Sequence, residues 1–194
     1  MAKKLILMIG APGSGKSTDS ELIAKRHEGE LTSISIDKIL QEEIANNTGI
    51  GHIANSYLRK GDVVPGSIIM YKIIHLINHA PTDIILIDGL PRSVDQMKEL
   101  GDELFYDKDI ELLSVIEIRV SEAIARKRVL NEDSTEEEIA IFEHEMELYT
   151  AFLGEIENYY EKDNLLNIVD GEQSAEEIVT QVDEYLKKQL HLFV

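Results

Sequence analysis

The apolar run Leu5 to Ile9 leads directly into Gly10-Ala-Pro-Gly-Ser-Gly-Lys16-Ser17-Thr18, and this junction constrains the fold more than any other stretch. It matches G-x-x-x-x-G-K-[ST] with every fixed position filled. The run reads as a buried parallel strand, and a helix is expected to open at about Lys16. Between them the glycines let the backbone curl so that several N–H groups face inward, with the positive end of the helix dipole on the same spot. That geometry is a socket for a polyphosphate. Lys16 can reach outer phosphates as a point charge, while the hydroxyl of Ser17, or of Thr18 one step on, is placed to meet a magnesium ion. A glycine-rich turn that binds nothing would not need this strand-then-helix setting.

Further Val/Ile/Leu-rich runs recur at Leu31 to Ile36, Ile84 to Ile87, Leu112 to Ile118 and Leu165 to Val169, with helical patterning between them. Strand alternating with helix predicts an α/β fold: a five-stranded parallel sheet with helices on both faces, and catalytic positions at the carboxyl ends where Gly10, Ser35 and Asp88 fall. The 194 residues suit one domain, 1–194. A helical insertion runs from Asp37 to His79, broken at Thr48 to Gly51 and at Gly61 to Pro65, and a region of this kind on the sheet rim suits a substrate clamp. His75 and His79 stand one helical turn apart, a metal spacing without a third ligand, so an ordinary helix face is the simpler reading. Ser134 to Glu137 reads as a capping box opening a long helix. Its stripe of Ile139, Phe142, Met146, Tyr149, Leu153, Ile156 and Tyr160 is explained by core packing. A second box, Ser174 to Glu177, opens the last helix.

Composition narrows the partners. A net charge of −18 makes nucleic acid a poor one, so any nucleotide must be held by local cations and magnesium against a repulsive field. The absence of cysteine excludes disulfides and thiolate metal sites. Neither a signal peptide nor a membrane span is apparent, and a cytoplasmic monomer with no membrane contact is the expectation.

The second informative stretch is Ile84-Ile-Leu-Ile-Asp88-Gly-Leu-Pro-Arg92, followed by Gln96. A buried strand delivers Asp88, suited to a magnesium water, and a Gly/Pro turn presents Arg92, whose fork suits a phosphate. With these motifs paired, the chain resembles the adenylate kinases from Lys4 to about Leu186. The resemblance implies ATP as phosphoryl donor with Mg²⁺, a nucleoside monophosphate (most simply AMP) as acceptor, and a phosphate-loop NTPase fold with a clamp at 35–65 and a short lid at 129–137. It assigns Gly13, Ser14, Gly15, Lys16, Ser17 and Thr18 to the ATP phosphates. Gly89, Arg92 and Gln96 fall to the acceptor phosphate and base, Gly61, Val63 and Val64 to its adenosine, and Arg128 to the root of the lid. In catalysis Lys16, Arg92, Arg128 and Asp88 act together, with magnesium held by Ser17 or Thr18 and Asp88.

The departures matter as much. Where the resemblance calls for a threonine and an arginine in the acceptor site, this chain has Ile36 and Gln41, and Glu132, Asp133 and Glu145 stand near the places of lid arginines. No Lys or Arg occurs from Val129 to Glu161. Three functions follow: a nucleoside monophosphate kinase, a nucleotide-responsive binding module with weak catalysis, or a kinase for a different acceptor.

Overall fold

The computed structural model describes residues 2–188 and 190–193. Five strands, β1 (Lys3–Gly10), β2 (Leu31–Ser35), β3 (Ile84–Asp88), β4 (Ile110–Arg119) and β5 (Leu166–Asp170), form one sheet in the order β2-β3-β1-β4-β5. Every pairing is parallel. β1 takes the centre because Leu5, Ile6, Leu7 and Met8 are all apolar and wholly buried, which only a strand covered on both faces permits.

Alternate side chains of β1 serve two cores. Leu5, Leu7 and Ile9 pack with α2 (Ile36–Ala45), α4 (Gly66–Asn78), α5 (Val94–Tyr106) and α7 (Glu136–Glu161) through residues such as Ile39, Ile73, Leu100 and Ile156. Ile6 and Met8 face the other way, against Ile23 of α1 (Lys16–Arg26) and Ile178 and Val182 of α8 (Ala175–Lys188). Two short helices complete the chain, α3 (Gly49–Leu58) and α6 (Glu122–Val129). Register brings the functional ends together: Ser35 lies beside Asp88, and Asp88 beside Met8, so β1, β2 and β3 finish at one edge of the sheet.

Four sequence readings shift. Ile36 is the first residue of α2 rather than the last of β2, because the Ser35 hydroxyl accepts from the Lys38 N–H and caps a helix there. The first break in the insertion is Asn46 to Thr48, with Thr48 capping α3 through the Gly51 N–H. The box at α7 is built by Thr135 and Glu138, not Ser134 and Glu137. The Thr135 hydroxyl accepts from the Glu138 N–H, and the Glu138 carboxylate accepts from the Thr135 N–H. Ser134 instead accepts from the Asn131 N–H, closing the turn before the helix. The α7 stripe is also not all core. Phe142, Met146, Ile156 and Tyr160 are buried, whereas Tyr149 and Leu153 are half-buried and form the wall of a cavity. The box at Ser174 and Glu177 is formed as the sequence suggests. Among the described residues no helix is long and apolar enough to cross a membrane.

Candidate active site

A cavity of about 490 Å³ opens at the carboxyl ends of β1, β2 and β3. Its floor is the loop between β1 and α1, and opposite stand the first turn of α2, the 61–64 turn, the Gly89 to Arg92 turn and α7. The loop follows its sequence closely. Gly13 sits at φ +76°, and a Cβ there would lie 2.6 Å from the Ala125 carbonyl oxygen and 2.7 Å from Val129 Cγ2 of α6, so only glycine lets loop and helix meet. No side chain caps α1, which leaves its leading N–H groups for an anion.

Gly13, Lys16, Ser17, Ile36, Gln41, Gly61, Val63, Val64, Gly89, Arg92 and Gln96 all line this one cavity. Ser14 is buried beneath the loop, while Gly15 and Thr18 are exposed on its outer side. Arg128 approaches from α6, where its Nη1 donates to the Ser14 carbonyl oxygen at 3.0 Å. Asp88, at the end of β3, does not itself line the cavity: it is 1 % exposed, its Oδ1 without a hydrogen-bond partner among the described residues and its Oδ2 3.5 Å from the Ser35 hydroxyl. A buried carboxylate oxygen left unmatched near the Lys16 ammonium fits a hard divalent cation or its water.

The acceptor side is stitched together by Gln96, which is buried. Its Oε1 accepts from the Arg92 N–H at 2.7 Å and its Nε2 donates to the Val64 carbonyl at 2.8 Å, joining the Arg92 turn to the 61–64 turn. Gly61, at φ +74°, backs onto α7, where a Cβ would come within 3.0 Å of the Ile141 carbonyl oxygen. His144 Nε2 and Asp62 Oδ1, 2.8 Å apart, join the same two elements.

Charge in the cavity is mixed. Burial, then the Arg92 guanidinium, lowers the Lys16 ammonium from its ordinary value, and the Asp88, Asp37 and Glu145 carboxylates oppose that shift. Burial works against the charge on Arg92, yet Asp37, by attraction and by its hydrogen bond, raises it, with Asp88 and Glu145 adding. Burial and the nearby Asp37 raise Glu145, against Arg92 and Lys16. Burial raises Asp19, in the first turn of α1, to about 6.

Glu145 lines the cavity near Lys16, Arg92 and Asp37. Glu132 and Asp133 do not: both are exposed in the short link between α6 and α7. Sequence reasoning missed Asp19, though its position one turn after Lys16 puts it on the same side of α1. It also missed α7 as a cavity wall, because a stripe at helical spacing looks alike whether it meets a core or a cleft.

The phosphate loop and the parallel sheet around it define a nucleotide-binding protein of the phosphate-loop class. The family model for adenylate kinase matches residues 8–191. An adenylate kinase of Sulfurovum sp. is 41% identical over 192 residues, spanning 95% of this chain and 98% of its own length. Adenylate kinases of Helicobacter hepaticus and Campylobacter jejuni are 40% and 41% identical, each over at least 95% of this chain and 97% of their own. The chain belongs to the adenylate kinase family.

Proposed function

We propose that the chain transfers the terminal phosphoryl group of ATP to AMP, reversibly yielding two ADP, with magnesium as the metal. The observation that carries this reading is the single cavity that brings an intact phosphate loop, Gly13 to Ser17, face to face with Arg92 and Gln96. Lys16 and the open N–H groups of α1 hold the donor phosphates, and Arg128, anchored to the Ser14 carbonyl, fixes the loop from outside. Arg92 holds the acceptor phosphate, and Val63, Val64 and Gln96 hold its nucleoside. Ser17 and Asp88 would hold the metal, which when bound neutralises charge on the moving phosphoryl. No general base is required, since the attacking phosphate oxygen is already ionised. Residues 35–65 serve as the acceptor clamp, and residues 129–137, which span the link between α6 and α7, serve as a reduced lid.

Membership of a kinase family weighs for an enzyme over a binding module, and of the three lid-region acids only Glu145 reaches the cavity. Product analysis of ATP incubated with AMP, CMP, GMP and UMP tests the assignment. ADP as product with AMP, at a rate well above the other three, is expected; no diphosphate formed from any of them would refute it.

A further inference from the structure

Arg92 offers its guanidinium fork to the acceptor side, but one nitrogen of the fork already has a partner. Its Nη2 donates to Asp37 Oδ2 at 2.7 Å, across 55 residues of sequence. Asp37 lies in the first turn of α2, and one turn further Gln41 lines the same cavity with a neutral amide. Glu145 enters from α7, facing Arg92, Asp37 and Lys16, and makes no hydrogen bond or ion pair among the described residues. Three anions, Asp37, Asp88 and Glu145, thus surround two cations, Lys16 and Arg92. A phosphate and a carboxylate present the same oxygens to a guanidinium, so both cannot hold the same N–H groups at once.

We propose that Asp37 is the specificity-determining residue of the acceptor site. It competes with the acceptor phosphate for Arg92 and so sets how much of the binding that phosphate provides. The nucleoside then carries the larger share, through the apolar wall of Ile36, Leu40 and Val64 and the Gln96 staple. The inference rests on the acceptor reading above. It differs from a purely local role, in which Asp37 steadies the start of α2 through the helix dipole or holds Arg92 in a productive pose. In that case its loss would weaken acceptor binding or change all ligands alike.

The test compares AMP and adenosine by calorimetry on wild type and Asp37→Asn, a near-isosteric change at a half-buried side chain, with Asp37→Ser as a second variant. The proposal expects AMP to bind at least about tenfold more tightly to both variants, the usual worth of one charge-assisted hydrogen bond, with adenosine affinity unchanged. In steady state the KM for AMP should fall with it. Equal or weaker AMP binding in the variants, or parallel changes for AMP and adenosine, would overturn the proposal alone. AMP binding to none of the three proteins would overturn the acceptor reading as well.

Discussion

Arg128 Nη1 donates to the carbonyl oxygen of Ser14 at 3.0 Å, and this contact ties the end of α6 to the phosphate loop 114 residues upstream. The same guanidinium lies near Asp19, and between them sits Gly15, where a Cβ would be 3.6 Å from Asp19 Oδ2 and 3.9 Å from Arg128 Nη1. The Arg128 guanidinium therefore ties helix α6 to the loop and lies near Asp19 of α1 without bonding it. Replacing Arg128 by Ala frees the loop and removes a charge-assisted contact, so ATP affinity should fall by about tenfold, or about 1.4 kcal/mol. Calorimetry checks this; an unchanged ATP affinity would mean the contact does not support the socket.

Asp19 gives a pH-dependent consequence. Burial raises its carboxyl from 3.8 in the unfolded chain to about 6, so between those values the folded state binds more protons than the unfolded one. The carboxyl's contribution is therefore most favourable below the lower value, declines as pH rises, and is a full penalty above about 6. Asp19→Asn should leave the stability near pH 3 almost unchanged and raise it near pH 8 by about 1 to 3 kcal/mol. Denaturant titrations at the two pH values decide it, and an equal gain at both would show that the charge is not the cause.

Thr135 rather than Ser134 starts the 26-residue helix whose middle forms the cavity wall. Thr135→Ala should cost about 0.5 to 2 kcal/mol, the usual range for a lost N-cap. Ser134→Ala should cost well under half of that, because its hydroxyl serves only an exposed turn. Thermal unfolding of both variants tests the assignment, and a larger loss at Ser134 would contradict it.

The sheet, the phosphate loop and the Asp88 to Arg92 turn were legible because each is local: an apolar run, a glycine pattern and a turn placed in order along the chain. Ser134 and Thr135 show the limit. Both can cap, each has a glutamate three residues on, and only the direction in which the chain enters the helix chooses between them. Tyr149 and Leu153 show another, since their apolar character was read correctly but not the empty space they face. Ile36 and Gln41 were visible as departures from the family pattern. The pairing of Asp37 with Arg92 across two loops was not, because nothing in sequence sets that distance. For Glu132 and Glu145 the same acidic replacement has opposite surroundings, solvent in one case and the cavity in the other.

That contrast separates two arginine variants. Glu145→Arg replaces an anion beside Lys16 and Arg92 with a cation near the transferring group, and turnover should rise by at least about tenfold. Glu132→Arg, in solvent, should alter it by less than about twofold. Steady-state rates with saturating ATP and AMP measure both, and equal effects would show that the position of Glu145 in the cavity is irrelevant to transfer.

The central claim is that Lys16 and Arg92 hold donor and acceptor in one cavity, and ADP formation from ATP and AMP by wild type, Lys16→Ala and Arg92→Ala tests it most directly. Wild type should form ADP with magnesium present. Lys16→Ala should weaken ATP binding by about ten- to a hundredfold, and Arg92→Ala should raise the KM for AMP by a similar factor while sparing ATP affinity. No ADP from the wild-type protein, or two variants that bind ATP and AMP as tightly as it does, would contradict the account.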